Sequence, residues 1–411
     1  MKPVILFKYL FILVLPSVLV SFAVNSILFI SVSLIALIQL GNKYPENFSR
    51  KYIWFSTFVM SILISTCLDV YNGQGFQLRE ISKRLAFILM PVVFVYSRKS
   101  HQALALKVLV YFLSTFSIIL LVAGFIRAWL NKGEVIYGNW DSKTTEEFYS
   151  QEMFLNWGEL SYKRLFVFID MHPSYYAFFS ATVLLILLFT NLVRIRKWRY
   201  YALLVLHAAM ILLISSKAGI ISLFIITGGL FFRQKSFRNI ALGILAMILL
   251  GLISINIPST RLRIEKVYNE IASPSIIKDK GNNRGRLILW NTIGDYSKLE
   301  LLTGIGTNTA RNRVMELTGE DKNMHNQFLQ ALVSSGILGL ILLICFISLP
   351  FVYSRHFFTY LFVSILCIYL SLENMMDRIW GIMLISFFYS LFIFGDQNLL
   401  KKRNNSTKRL V

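Results

Sequence analysis

Residues 321–342 read DKNMHNQFLQALVSSGILGLIL. The segment opens with charged and amide side chains and ends as an apolar run of membrane-spanning character. His325 and Asn326 stand at the changeover, and Gly336 and Gly339 follow at a spacing that lets backbones approach closely inside a bilayer. A histidine where a long polar loop re-enters an apolar run sits at the membrane surface, near the start of a helix. The positive end of the helix dipole disfavours imidazolium there, and a neutral ring keeps a nitrogen lone pair that can serve as a general base. The other reading of His325 is a helix cap or an interfacial anchor.

The whole chain follows the same pattern. Of its 411 residues 56% are hydrophobic, and mean hydropathy is +0.61. That is more apolar surface than a water-soluble domain can hide, so the expected fold is an all-α polytopic membrane protein. Apolar runs fall near 4–22, 24–40, 52–70, 85–96, 108–129, 173–192, 200–214, 218–232, 240–257, 326–352, 357–371 and 379–395, about twelve helices in all. The break between the first two runs is placed near Asn25. The basic, then apolar N-terminus has the look of a signal peptide, but a second apolar run follows at once, which argues for a retained first span.

The formal net charge is +21, carried by residues dispersed between apolar runs. Dispersion excludes a nucleic-acid partner, which needs a gathered basic face, and points to membrane lipids instead. Basic clusters occur at Lys43, Arg50 and Lys51, at Arg98, Lys99 and Lys107, at Arg194 to Arg199, at Arg233, Lys235 and Arg238, and in the tail at 401–403. They fall on alternate loops, so the positive-inside rule places them and both termini in the cytoplasm. The resulting organisation is N-terminal helices over 1–129, a first outer loop over 130–172, central helices over 173–257, a large outer loop over 258–325 before the tenth helix, C-terminal helices over 326–395, and a cytoplasmic basic tail over 396–411.

Cys67, Cys345 and Cys367 all lie in apolar runs, which argues against a disulfide framework or a zinc site. No His or Cys cluster has metal-ligand spacing and there is no phosphate-binding P-loop, so neither metal nor cofactor is expected.

The polar features gather at the outer ends of the runs. In the first outer loop Trp140, Tyr149 and Trp157 either anchor on lipid headgroups or stack on sugar rings. The loop closes on His172-Pro173-Ser174-Tyr175, placing a second histidine at the mouth of a span. Lys217 interrupts two apolar runs, where it either snorkels to the interface or holds an anion. In the second outer loop Arg284, Arg286 and Trp290 open an amphipathic helix, followed by a Gly304-Ile305-Gly306 turn. That turn is a weak phosphate signal and reads equally as a flexible connection. In the last outer loop Glu373 and Arg378 are placed to pair with each other.

Taken together, His325-Asn326 followed by Gly336-x-x-Gly339, His172-Pro-Ser-Tyr, the basic residue after Ser215-Ser216, and Arg286 with Trp290 ahead of Gly304-x-Gly306 resemble the O-antigen ligase and polymerase superfamily. The resemblance covers mainly 160–395. Members are integral-membrane glycosyltransferases that use polyprenyl-diphosphate-linked glycans, so the resemblance implies a donor of that kind, a lipid or saccharide acceptor, and a bacterial inner-membrane location. It implies His325 as base or acceptor positioner, Asn326 as its orienting neighbour, and Arg286 with Lys217 on the diphosphate. Arg284, His172, Arg378 and Trp290 complete the candidate substrate-binding set. Lys217 departs from the family's arginine: the charge is kept and the bidentate fork is lost. Ligation to lipid A core, polymerisation and transfer to protein all remain open. A transporter or flippase of lipid-linked glycans is the competing class.

Overall fold

A computed structural model describes residues 3–41, 45, 48–76, 78–132, 156–169, 171–193, 195–233, 236–257, 260–261, 286–319 and 323–401. Among them the secondary structure is helical. The main helices are α1 (Pro3–Val18), α2 (Phe22–Leu40), α3 (Phe48–Tyr71), α4 (Leu78–Arg84), α5 (Ala86–Tyr96), α6 (Lys99–Leu130), α7 (Pro173–Phe189), α8 (Lys197–Ile214), α9 (Lys217–Phe232) and α10 (Phe237–Asn256). They continue with α11 (Arg286–Asn291), α12 (Lys298–Thr303), α13 (Thr307–Thr318), α14 (Gln327–Tyr353), α15 (Phe357–Leu372) and α16 (Ile379–Phe394).

Each of the twelve apolar runs forms a helix. Six, namely α2, α3, α6, α8, α10 and α14, are long and apolar enough to cross a membrane, and α1, α7, α9, α15 and α16 are shorter apolar helices. The 11 residues of α5 rise about 17 Å, well short of a hydrocarbon core of about 30 Å. Two boundaries differ from the sequence expectation. The first turn lies at 19–21, not near Asn25: Asn25 is buried and donates to the Val14 carbonyl (2.6 Å) and to Ser17 Oγ (3.0 Å), stitching α1 to α2. The fifth apolar run begins at Lys99 and not at 108, because Lys99 pairs with Asp396 (3.0 Å) and Gln102 accepts the Asp396 N–H (2.9 Å), which holds a polar first turn in helical form.

The described residues of Met1–Ala105 with Ser273–Asn398 form one unit, and those of Leu106–Ala272 with Leu399–Val411 form another. In the first, Phe346 of α14 lies against Phe55 (5.5 Å between ring centroids), Phe58 (5.2 Å), Phe87 (5.4 Å) and Tyr389 (4.7 Å). Lipid tails are as apolar as these rings, so helix association here rests on packing and interhelical hydrogen bonds. Edge-on and offset aromatic pairs of this kind contribute about 0.5–1.5 kcal/mol each. In the second unit α7 is buried nearly all round. Ser117 and Tyr176 share a hydrogen bond (2.8 Å), as do Ser114 and His207 (3.0 Å). A Cβ on Gly219 would stand 3.1 Å from both Ala177 and Ile211, so α9 lies close against α7 and α8.

α14 is interrupted. Gly336 has φ 67° and ψ −167°, a conformation that side chains with a Cβ rarely adopt. The sequence suggested that Gly336 and Gly339 serve close packing between helices; the structure uses Gly336 to break its own helix.

Candidate active site

The described part of the large loop builds a small roof in the first unit. Leu289, Tyr296, Ile305, Ala310, Val314, Met324 and Val333 are buried together, with Trp290, Ile293, Leu301 and Leu329 packed against them. Burial pushes the Tyr296 phenol up to about 12. Ser297 and Glu300 form a capping box on α12: Glu300 N donates to Ser297 Oγ (3.2 Å) and Ser297 N to the Glu300 carboxylate (2.7 Å).

This roof fixes His325. The Trp290 indole N–H donates to the Met324 carbonyl (2.9 Å), and the Met324 N–H donates to Gln330 Oε1 (3.3 Å). His325 itself has a positive φ of 47°, and its N–H donates to Asn323 Oδ1 (3.2 Å). The held backbone turns the ring toward Glu373, whose Oε2 lies 3.4 Å from His325 Nδ1. The other oxygen of Glu373 accepts from Arg286 Nη2 at 2.6 Å. A carboxylate can only accept, so the proton of this contact sits on Nδ1; in the neutral form of the ring the lone pair is then on Nε2. The Glu373 side chain is 9% exposed, those of Arg286 and His325 29% and 34%, so the carboxylate is covered while the cation and the imidazole reach the surface.

Several expected roles shift. Glu373 was matched with Arg378; the structure directs it to Arg286 and His325. Arg378 is exposed, at the start of α16. Asn326 does not orient the imidazole through its side-chain oxygen, because that oxygen accepts from Phe328 N (3.0 Å) and Leu329 N (3.1 Å) and caps α14. Glu373 is the group beside the ring. Trp290 spends its indole N–H on the Met324 carbonyl. Arg284, Trp140 and Tyr149 lie outside the described residues.

Beneath His325 the loop closes onto the break in α14. The N–H groups of Ile305 and Gly306 donate to the carbonyls of Val333 (3.0 Å) and Ser334 (2.9 Å), which the break has released. The Gly304-x-Gly306 turn is therefore a plug for a broken helix, neither a flexible connection nor a phosphate cradle. Asp69, buried on α3, receives Asn308 N (3.0 and 3.1 Å), Asn308 Nδ2 (3.0 Å), Thr309 N (3.0 Å) and Thr309 Oγ1 (3.1 Å), so it caps α13 from another helix. A Cβ on Gly306 would stand 2.2 Å from Asp69 Oδ1. Sequence reasoning missed Asp69; a single carboxylate inside the 52–70 apolar run is the signal that marks it.

Next to this clasp is a polar cavity of about 40 Å³, lined by Asp69, Arg84, Thr307, Gln327, Gln330 and Asp377 among others. Arg84 pairs with Asp377 (2.7 Å), and Asn374 bridges Asp377 (3.0 Å) to Gln330 (3.4 Å). The space suits water and is far too small for a sugar. Among the described residues no three His, Cys, Asp or Glu side chains gather as a metal-ligand set.

Lys217 and His172 belong to the second unit. Lys217 is the first residue of α9, after Ser215 in the left-handed region (φ 54°). His172 caps α7: Nδ1 accepts from Ser174 N (3.4 Å), which leaves Nε2–H to face the Tyr162 hydroxyl (3.1 Å).

Comparison with known proteins gives one family: the O-antigen ligase model matches residues 202–344. The matched stretch holds Lys217, Arg286, Trp290, His325 and Asn326, while His172, Glu373 and Arg378 fall outside it. No curated protein matches the chain. Over residues 202–344 this helical, polytopic membrane protein is thus similar to the O-antigen ligase family, which supports a place in the O-antigen ligase and polymerase superfamily.

Proposed function

We propose that the protein is a membrane glycosyltransferase. It moves a glycan from a polyprenyl-diphosphate carrier to a hydroxyl of lipid A core or of a growing polysaccharide, at the outer face of the bacterial inner membrane. About twelve helices cross the bilayer with both termini in the cytoplasm, so the two long loops face outward. The observation that carries the reading is the meeting on one carboxylate, Glu373, of a histidine and an arginine that both reach the surface.

In the reaction, the acceptor oxygen attacks the anomeric carbon from the side opposite the diphosphate, which inverts that centre. The acceptor O–H proton passes to His325 Nε2 as the new carbon–oxygen bond forms. The bond from the anomeric carbon to the phosphate oxygen breaks, and its electron pair leaves with the polyprenyl diphosphate. Arg286 meets the charge that grows on that oxygen. Lys217, a cation at the positive end of α9, marks a second place where an anion is favoured. No metal enters this scheme: charge neutralisation is assigned to side chains.

His325→Ala is the direct test in cells. It should insert in the membrane and fail to complement a deletion strain. In that strain, unattached glycan identifies a ligase and single-repeat caps identify a polymerase. Wild-type glycan output from His325→Ala would remove His325 from the reaction.

One observation favours movement of a lipid-linked glycan instead. A broken helix beside a polar cavity is the architecture of many transporters. Donor flipped across proteoliposomes in the absence of any acceptor would establish that reading.

A further inference from the structure

His325 and Glu373 come from segments 48 residues apart, and their contact at 3.4 Å is longer than a usual hydrogen bond. A contact that long does not by itself fix two chain segments against each other; the scaffold beneath them does. That scaffold is the first turn of α14. Gln330 is 5% exposed, and its Oε1 accepts from two sides: Met324 N–H (3.3 Å), in the residue before His325, and Asn374 Nδ2 (3.4 Å), in the residue after Glu373. Both partners are donors, so the amide stands with its oxygen toward them and its nitrogen toward Ser334 Oγ (2.8 Å). Three residues earlier on the same helix face, the buried Gln327 accepts the Met376 N–H (3.0 Å). At the end of that turn Asp377 accepts from Arg84 Nη2 (2.7 Å) and from Asn374 Nδ2 (3.0 Å).

We infer that Gln330 is a positioning residue for His325 and Glu373: one amide oxygen ties the backbone ahead of the imidazole to the side chain beside the carboxylate, and so sets the distance between ring and carboxylate. This rests on the glycosyltransfer reading above, in which His325 takes the acceptor's proton. A glutamine suits the task. Its oxygen has two lone pairs, one for each segment, and it brings no charge into a buried position. Gln327 and the Arg84–Asp377 pair hold the far end of the 373–377 turn, so Gln330 acts on a turn whose other end is already anchored. Without the shared oxygen the two segments lose a common anchor, and the ring is free to drift from the carboxylate. A displacement of about 1 Å is enough to cost a catalytic group much of its effect.

The test uses the full chain in nanodiscs with its histidine ring nitrogens labelled for NMR, the His325 signals being those lost in His325→Ala. Gln330→Met keeps the side-chain volume, so the adjoining polar cavity gains no room for a water to replace the missing oxygen. It should displace the His325 ring signals and lower kcat about 10- to 100-fold, with KM for a polyprenyl-diphosphate glycan within about twofold of wild type. Gln330→Glu, which keeps an oxygen for both donors, should recover most of the lost kcat. A residue that merely supported the fold would not divide kcat from KM in this way. Asn374→Leu cuts the tie from the other side and should displace the same ring signals, which frees the measurement from the folding of any one variant. Ring signals unmoved in either folded variant overturn the positioning role and leave the glycosyltransfer reading standing. Transfer at the wild-type rate by His325→Ala overturns that reading, and the role with it.

Discussion

Replacing Asp69 by alanine should release the turn at 304–306 and the first turn of α13 from α3. Asp69 is 2% exposed and accepts from four groups, two of them backbone N–H groups at the start of α13. Asn308 Nδ2 and Thr309 Oγ1 can turn toward other partners, but the two backbone groups cannot move without unwinding the helix. A buried donor left without an acceptor costs about 1–3 kcal/mol, so the pair costs about 2–6 kcal/mol. Even the lower figure corresponds to roughly a 30-fold rise in local opening. Hydrogen exchange followed by mass spectrometry, on protein in nanodiscs, reads this directly over 304–318. Asp69→Ala should exchange at least roughly 30-fold faster there, and Asp69→Asn, which keeps one acceptor oxygen, less than half as much on a logarithmic scale. Since this segment also carries the plug for α14, kcat should fall along with protection. Wild-type exchange over 304–318 in Asp69→Ala would show that the clasp does not hold the loop, and the account of how the loop is positioned would fail.

Two further outcomes follow from the same geometry. Gly336→Ala would place a Cβ 2.2 Å from the Leu302 carbonyl at a φ of 67°, so it should lower thermal stability by several degrees and abolish transfer, while alanine at Gly294, which meets nothing within 4 Å, serves as the neutral control. The capping box on α12 should be sensitive to acid: the Ser297 backbone N–H, foremost among its neighbours, holds the Glu300 carboxyl below its ordinary value. A carboxyl lowered in the folded state contributes stability that is complete above its unfolded value and is lost as pH falls through the folded one. Amide protection at Glu300 and Leu301 should therefore drop as pH falls below the ordinary carboxyl range, and Glu300→Gln should flatten that dependence.

The helices were legible in the sequence because each is written locally as an apolar run, and even the wrong boundaries trace to local causes. Lys99 looked like a loop residue until Asp396 supplied its partner, and Asn25 looked like a breaker until it proved to be a buried clamp. His325 and Arg286 were legible as residue types placed at loop ends. Their common partner was not, because Glu373 is 48 residues from one and 87 from the other, and no local pattern encodes which cation a carboxylate will find. Gly336 was misread for a related reason. Small residues at helical spacing serve close packing and helix breaking equally well, and only the loop that plugs the gap decides between them. Asp69 was hidden inside an apolar run, where a lone carboxylate is costly enough to announce a partner.

The most direct test of the central claim uses purified protein with a defined polyprenyl-diphosphate glycan and an acceptor, followed through a single turnover. The account predicts transfer with inversion at the anomeric carbon by the unmodified chain. For His325→Ala it predicts a loss of about 1,000-fold or more in rate, with pyrophosphate affinity unchanged. Donor carried across the bilayer without any glycosidic bond formed, or full transfer without the imidazole, would contradict it.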